Sequence, residues 1–324
     1  MDLSKIYKIA PQMKTYNRLS FNWKPFIMFM HETNFRSEIV NTDDFGLRFN
    51  NQKITNSIFD RKDKIDKKSG AIIGSSAAFG VGCSNDSLTI PSLLSENTEC
   101  DYFNIGVKAY CGFQEVILFN SLINNLKKIK EVIIFSGIND IFMSRYIDNY
   151  DKMLGPMFYT NQFNDSMAIG LKQQLINRIS NLFISPKSEL KNNHNQNIFE
   201  IIRKNLYLWA NIKNGMKIKL YFFLQPMSSW CIRELSEEEK IIFDEFDKNK
   251  NIKPNRVLKF MNLDIYHKYK SFLSETCKEL NIEFFDCNEF LSSKEYDNKW
   301  LFVDRVHLTD LGYKLISQFI KSKI

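Results

Sequence analysis

Short apolar runs rich in β-branched and aromatic residues recur along the chain, and longer segments with helical spacing of apolar residues follow them. This alternation is typical of a parallel sheet built from β-α-β units. Five strands are predicted, each ending in small or polar residues where a loop begins: Gly70–Gly74, Tyr102–Gly106, Glu131–Ser136, Ile218–Leu224 and Ile282–Asp286. The pattern therefore predicts one α/β domain around a five-stranded parallel sheet.

The helices between these strands are visible as apolar stripes. One face of a helix is predicted to cover the sheet with Val116, Ile117, Leu122, Ile123 and Leu126. The final helix is predicted to begin at Thr309, whose hydroxyl can cap free N–H groups, and to run nearly to Ile324. Its apolar stripe consists of Leu311, Leu315, Ile316, Phe319 and Ile320.

Two regions do not fit the repeating unit. Residues 1–68 mix aromatic and polar positions without a clear period, and we interpret them as an N-terminal extension of a domain spanning 69–324. Residues 144–214 carry two helical patterns, around Leu171–Phe183 and Ile198–Ile212, which predict an inserted helical cap. A membrane-surface or partner-binding role is the alternative for these amphipathic helices.

Charge argues against nucleic acid as a partner. The formal net charge of +7 comes from 44 basic and 37 acidic residues, and the two signs are interspersed, as in Asp60–Lys68. Such runs usually form solvated surface, whereas nucleic-acid binding favours a basic stripe beside aromatic side chains. No transmembrane span is predicted either, because the most apolar N-terminal stretch, Pro25–Met30, is far too short.

The six cysteines are scattered, without a C-x-x-C pair or histidines at zinc-finger spacing. We therefore expect no structural zinc site. A chain of this size needs no disulfides, and no secretory signal precedes the domain, so we expect reduced thiols and a cytoplasmic location.

The first candidate for chemistry is Ser76, in the small-residue turn 74–82 after the first predicted strand. Ligands of parallel sheets bind at the carboxyl ends of strands, and a helix N-terminus there would favour a serine alkoxide and a developing oxyanion. A phosphate loop or a plain structural turn is the alternative interpretation of these residues. The Lys of a P-loop and the G-x-G-x-x-G spacing are both absent.

A paired acid and base follow in Asp304-Arg305-Val306-His307. On a loop at the sheet edge, this spacing lets the carboxylate accept from one ring nitrogen while the other takes a proton from a serine. The remaining histidines, His31, His194 and His267, have no comparable setting.

Two further loops end at the same edge. Asn139, after the third strand, can donate its side-chain amide to an oxyanion, although asparagine is also common as a turn residue or helix cap. The loop after the second strand, 104–110, can supply backbone N–H groups.

Taken in order, these segments resemble the SGNH, or GDSL-type, hydrolase family. The segment Gly74-Ser75-Ser76 with Gly80 is similar to the GDSxxxG block, Gly137-Ile138-Asn139-Asp140 to the GxND block, and 304–307 to the DxxH block. The resemblance covers roughly 69–143 and 216–324. The first block and Asn41–Arg48 look similar to members found with bacterial surface-polysaccharide genes.

Two positions depart from the family pattern. Ser75 replaces the aspartate that helps to position the nucleophile loop, and Ala109 stands where the family has an oxyanion glycine, while Gly106 matches the earlier glycine. The backbone N–H of residue 109 survives this change if the loop avoids positive φ.

The resemblance implies a flavodoxin-like three-layer α/β/α sandwich without metal or cofactor. Ser76 would form an acyl-enzyme, His307 would act as base and then acid, and Asp304 would orient it. Ser76 N–H, Ala109 N–H and the Asn139 amide would hold the oxyanion. The implied activity is removal of a short acyl group, acetyl first, from a carbohydrate or glycan precursor.

Two alternatives stay open. The acyl group could pass to a sugar hydroxyl, which would make the protein an O-acetyltransferase, or the protein could be a non-catalytic glycan-binding protein. Retention of a paired base argues against simple binding. Trp230, after the fourth strand, is either a sugar-stacking residue or a core residue.

Overall fold

The computed structural model describes residues 3–50, 68–126, 129–146, 150–151, 153–167, 198–248 and 262–324. The strands are β1 (Phe21–Lys24), β2 (Met28–His31), β3 (Lys68–Gly74), β4 (Cys100–Gly106), β5 (Ile129–Ser136), β6 (Lys219–Leu224) and β7 (Glu283–Asp286). The helices of the first half are α1 (Leu3–Ile9), α2 (Met13–Arg18), α3 (Ser76–Phe79), α4 (Ile90–Asn97), α5 (Gly112–Leu122) and α6 (Ile138–Tyr146). Those of the second half are α7 (Thr160–Met167), α8 (Ile198–Met216), α9 (Glu237–Asp247), α10 (Leu263–Glu279), α11 (Cys287–Leu291) and α12 (Asp310–Lys321).

Strands β3 to β7 form one parallel sheet in the order β4-β3-β5-β6-β7. The five predicted strands are confirmed, each within two residues of its expected ends. The order corresponds to 2-1-3-4-5, the flavodoxin-like arrangement. Because β3 pairs with β4 on one side and β5 on the other, the strand order reverses at β3. A crevice for ligands is expected at its carboxyl end.

Alternate strand residues enter two separate cores, which makes the molecule three-layered. Along β5, Val132 and Ile134 belong to one core, and Ile133 and Phe135 to the other. The first core is covered by α5, α8 and α10, and the second by α4, α9, α11 and α12. The predicted α/β/α sandwich is thus confirmed. Successive side chains along a strand point to opposite faces of the sheet, so strand residues alternate between the two cores.

The helix α8 corrects part of the predicted cap. It buries Ile201, Leu206 and Trp209 in the core that faces the sheet, and it contacts α5, α10 and β6. It is therefore a layer helix on the connection between β5 and β6. The other pattern assigned to the cap, 171–183, lies outside the described residues. An amphipathic stripe is the same in a cap and in a layer, so the sequence could not distinguish them.

The N-terminal residues fold over the end of β3. Strands β1 and β2 form an antiparallel hairpin with Phe21 opposite His31. Met13 and Tyr16 of α2 join a third core with Phe79 and Val81 from the turn after β3. Although the segment was predicted as an extension, its described part is packed directly against the turn that carries Ser76.

The C-terminal helix begins as predicted. Thr309 is its N-cap, and the threonine side chain accepts a hydrogen bond from the Gly312 N–H. The helix ends at Lys321, close to Ile324 as predicted.

Candidate active site

Ser76 opens the single helical turn α3 immediately after β3. Gly74 has φ of +151°, and a Cβ at this position would lie 2.1 Å from the Phe135 carbonyl oxygen, so only glycine fits. Gly80 ends the turn with φ of +90°. Ser76 is partly exposed, while its neighbour Ser75 is buried. The tight turn therefore presents the Ser76 hydroxyl at the sheet edge.

The structure brings Asp304 and His307 to that hydroxyl. His307 Nε2 lies 2.7 Å from Ser76 Oγ, and His307 Nδ1 lies 2.6 Å from Asp304 Oδ2. The other carboxylate oxygen, Oδ1, accepts from the backbone N–H groups of Val306 at 2.9 Å and His307 at 2.8 Å. The acid is thus fixed by its own loop, and the three side chains form a continuous hydrogen-bonded chain.

The hydrogen-bond partners of Asp304 and His307 also determine which of their atoms carry protons. Burial raises the pKa of Asp304, but the charge of His307 and the hydrogen bonds from its ring and from two backbone N–H groups lower it below its ordinary value. An ionised Asp304 can only accept, so Nδ1 carries the ring proton. Nε2 then has a lone pair available for the Ser76 hydroxyl proton.

Ala109 lies in a four-residue turn, 107–110, at the end of β4. Tyr110 N–H donates to the Val107 carbonyl at 3.3 Å, and Val107 N–H donates to the Gly74 carbonyl at 3.1 Å. Ala109 has φ of +65°, whereas Lys108 is not in the positive region, a combination that fits a type II turn.

The condition that this loop avoids positive φ is therefore not met. Alanine adopts a left-handed backbone at position 109, at a strain of about 1 kcal/mol. Alanine tolerates this conformation because contacts with the surrounding residues hold the 107–110 turn in shape. Ala109 still lines the cleft beside Ser76.

Asn139 belongs to the first turn of α6. Its Nδ2 donates to the Tyr110 carbonyl at 2.7 Å, which ties α6 to the 107–110 turn. A side-chain amide has two N–H bonds, so one remains to serve an oxyanion in the cleft, which Asn139 also lines. The structure thus places Ser76, Ala109 and Asn139 around one cleft, with Asp304 and His307.

Ser75, which stands where the family pattern has an aspartate, contacts Gln225. Its buried hydroxyl lies 3.4 Å from Gln225 Oε1, at the end of β6. Asn288 braces the same loop, since its Nδ2 donates to the Gln225 carbonyl at 3.3 Å and its Oδ1 accepts from Met227 N–H at 2.9 Å. At position 75, where the family pattern has a carboxylate, a hydroxyl therefore contacts the end of β6.

Sequence reasoning missed two buried residues beside the site. His31 contacts the 107–110 turn, since its Nε2 lies 3.0 Å from Lys108 N. Arg48 donates to the carbonyls of Phe79 at 3.1 Å and Gly80 at 2.8 Å, at the end of α3, and pairs with Asp86 at 2.7 Å. The sequence offered two signals for them: His31 directly follows the apolar run 25–30, and Arg48 belongs to the segment 41–48 that carries part of the family resemblance.

A cleft of about 410 Å³ opens at the triad. Its walls come from the sheet edge, α6, α9 and the N-terminal helices, and they are largely apolar. Aromatic side chains in the lining are Tyr7, Tyr16, Phe21, Phe142, Phe158, Tyr159 and Phe246. Trp230 is fully buried and stacks on Tyr266 in the core, so it does not contact a ligand in this cleft.

In the described ranges, no group of three or more His, Cys, Asp or Glu side chains is arranged to hold a metal ion. The helices within those ranges are all too short or too polar to cross a membrane. All six cysteines are buried and unpaired.

No protein-family model and no curated protein matches the chain. Among solved structures, it is similar to the acetyl xylan esterase AlAXEase, with 12% identity, a TM-score of 0.45, and coverage of 79% of this chain and 99% of that one. A lipase/acylhydrolase from Enterococcus faecalis is also similar, with 14% identity, a TM-score of 0.46, and coverage of 79% and 95%.

A lipolytic protein of the G-D-S-L family from Desulfitobacterium hafniense DCB-2 has 14% identity, a TM-score of 0.46, and coverage of 79% and 99%.

Proposed function

We propose that the protein is a serine ester hydrolase that acts through an acyl-enzyme on Ser76. The observation that carries this proposal is the hydrogen-bonded chain from Ser76 Oγ through His307 to Asp304, at 2.7 and 2.6 Å, opening into a cleft. A nucleophile, a base and an orienting acid at these distances match the requirements of acyl transfer. A protein that only bound glycans would not need a base aligned on a serine.

In the first half-reaction, His307 Nε2 takes the Ser76 proton while Oγ bonds to the ester carbonyl carbon. The carbonyl oxygen becomes an oxyanion, which Ser76 N–H, Ala109 N–H and the second Asn139 amide proton stabilise. When the tetrahedral intermediate collapses, the C–O bond to the alcohol breaks, and His307 returns its proton to that oxygen. Asp304 stays ionised throughout and stabilises the imidazolium.

In the second half-reaction, water attacks the acyl-enzyme and gives a proton to His307. The acid leaves, and the proton returns to Ser76 Oγ. If a sugar hydroxyl enters in place of water, the same intermediate makes a new ester, which is the O-acetyltransferase alternative. The two reactions share every residue of the site and differ only in the acceptor.

For the substrate, we propose a short acyl ester, acetyl first, on a carbohydrate or glycan precursor. The aromatic rings along the cleft offer flat apolar faces for a sugar ring, and Phe142, Phe158 and Tyr159 line the same cleft as the candidate oxyanion donors. The resemblance to family members found with surface-polysaccharide genes points to the same class of ester.

The test compares wild type with Ser76→Ala in hydrolysis of p-nitrophenyl acetate and in labelling by a fluorophosphonate probe. Wild type should turn over the ester and label once per chain, and the variant should do neither. Ser121→Ala is the matched control, because Ser121 is exposed on α5 and its hydroxyl bonds only within that helix. An inactive, unlabelled wild type or a variant that labels equally would overturn the assignment.

A second experiment separates water from sugar as the acceptor. O-acetylated sugars would be incubated with the protein with and without an acceptor glycan, and free acetate and acetylated acceptor would be measured. Free acetate whose yield does not change with acceptor supports the esterase. Acetylated acceptor formed at the expense of free acetate contradicts hydrolysis and supports the transferase.

A further inference from the structure

His31 is a buried histidine that the proposed chemistry does not use. It ends β2 and has no exposed surface, and its ring packs on Phe79 with centroids 4.0 Å apart. Each ring nitrogen has one partner: Nδ1 lies 3.2 Å from the Gly46 carbonyl oxygen, and Nε2 lies 3.0 Å from the Lys108 backbone N. The ring therefore bridges the N-terminal segment and the 107–110 turn.

These partners allow one protonation state of the ring. A carbonyl oxygen can only accept, so Nδ1 carries the proton, and a backbone N–H can only donate, so Nε2 must have its lone pair free. A proton on Nε2 would oppose the Lys108 N–H. Burial, followed by the nearby charges of Lys108 and Arg48, keeps the pKa of His31 well below its ordinary value. The surroundings of His31 therefore keep its ring neutral, with Nε2 as a hydrogen-bond acceptor.

The turn that His31 holds is strained at Ala109, whose φ of +65° an alanine rarely adopts. A turn of this kind returns to negative φ unless contacts hold it, and such a return reorients the peptide that contains Ala109 N–H.

Several hydrogen bonds tie this turn to the N-terminal segment. Lys108 N–H donates to His31, Lys108 Nζ donates to the carbonyls of Tyr16 at 2.8 Å and Leu19 at 3.1 Å, and Tyr110 Oη donates to the Phe29 carbonyl at 2.6 Å. The contact at His31 is the one on the backbone of the turn itself. It lies one residue from the candidate oxyanion donor.

We propose that His31 is a positioning residue that fixes the 107–110 turn, so that the Ala109 N–H faces the oxyanion. This inference rests on the proposed function. It gives the N-terminal segment a role in catalysis, although no residue of that segment belongs to the triad. The loss on removing His31 should fall on kcat, because an oxyanion donor acts on the transition state and not on the bound ester.

Three variants distinguish the loss of the hydrogen-bond acceptor from the loss of the ring's volume. His31→Gln places an oxygen near the position of Nε2 and can still accept from Lys108. His31→Asn reaches only the position of Nδ1, and His31→Leu has no acceptor. With p-nitrophenyl acetate, His31→Leu and His31→Asn should lower kcat by about 10- to 100-fold with KM within about twofold, and His31→Gln should stay within about fivefold of wild type.

His267→Leu is the matched control, since His267 is exposed on α10 and should leave kcat unchanged. Thermal melting and near-ultraviolet circular dichroism identify folded variants. If His31→Leu does not fold, the comparison of Asn with Gln decides. Equal kcat in these two variants, or a loss that appears only in KM, would overturn the proposal.

A double substitution tests the mechanism of the effect. Glycine adopts positive φ without strain, so in the Ala109→Gly background the turn needs less support. The kcat loss caused by His31→Leu should then be at least about threefold smaller than in the wild-type background. An unchanged loss would show that His31 acts through something other than the turn. An inactive wild type would instead contradict the proposed function, which keeps the two failures distinguishable.

Discussion

The two halves of the candidate site are held in different ways. In the acid–base half, residues 304–307, the Asp304 carboxylate is fixed within its own loop, because it accepts from Val306 N–H and His307 N–H as well as from the ring. The oxyanion half, residues 107–110, is held from outside, by His31, the end of α2 and Asn139. A group that is held by residues next to it in sequence keeps its geometry when distant parts of the protein change. A group that is held by distant residues keeps its geometry only when the whole fold is intact.

The largest effect is expected from Asp304→Asn. The amide oxygen can still accept from the two backbone N–H groups, so the loop should keep its shape. Its NH2 group would face His307 Nδ1, however, and would favour the tautomer that carries the proton on Nε2.

We expect kcat to fall by about 10⁴-fold, with the melting temperature nearly unchanged. Steady-state kinetics and thermal melting measure both quantities, with Asp264→Asn, at an exposed position on α10, as the control. A large loss of stability would contradict the locally supported loop, and a kcat near that of wild type would contradict the role of Asp304.

Asn139→Ala should have the next largest effect. It removes an oxyanion donor and also the tie from α6 to the Tyr110 carbonyl. We expect kcat to fall by about 10²- to 10³-fold. The control is Asn120→Ala, at an exposed position on α5, which should behave as wild type. If Asn139→Ala raised only KM, Asn139 would be a binding residue and not an oxyanion donor.

Ala109→Gly tests the strain in the remotely supported turn. Removing the Cβ relieves the positive-φ strain but also gives the unfolded chain more freedom, so the net gain should be at most about 1 kcal/mol in the free energy of unfolding. Ala109→Val should have the opposite sign, because a β-branched residue tolerates positive φ worst. Urea denaturation measures both. Destabilisation by glycine together with tolerance of valine would show that the turn is not strained.

The last comparison concerns pH, where the two halves again differ. Behind the 107–110 turn, burial raises the pKa of Glu115 to about 8 and of Asp140 to about 6, while Asp304 has a lowered pKa. Folded Glu115 retains a proton that the unfolded chain releases above its ordinary pKa of 4.5. Its favourable contribution is therefore complete below pH 4.5 and is lost as pH rises through about 8. The contribution of Asp304 is present above its ordinary pKa and is lost as pH falls through its lowered one.

Melting temperatures between pH 5 and 9 check this difference. Wild type should lose stability as pH rises, and Glu115→Gln should flatten the decline, since a neutral amide needs no proton. Glu96→Gln, at an exposed position on α4, is the control and should keep the wild-type slope. An equal slope in Glu115→Gln and wild type would mean that Glu115 does not titrate between folded and unfolded states in this range.

Much of the fold could be predicted because the relevant signals are short-range. Each sheet strand is a compact apolar run bounded by turn residues, and Thr309 caps α12 through a hydrogen bond three residues away. The N-terminal segment could not be predicted in this way. Its helices have only six or seven residues, fewer than two full helical turns, and its two strands show no alternation, since β1 is half-buried throughout and β2 is buried throughout. The helix α8 was visible, but its stripe does not identify the surface it covers.

The sequence by itself determined the strands, the final helix, and the identity of Ser76, Asn139, Asp304 and His307 as candidates. These features depend on residue type, on local spacing and on the rule that parallel strands end at one edge. Only the tertiary structure decided that Ala109 takes a positive φ and that His31 braces its turn. Those facts arise from contacts between residues as far as 92 positions apart, and no local pattern encodes such contacts.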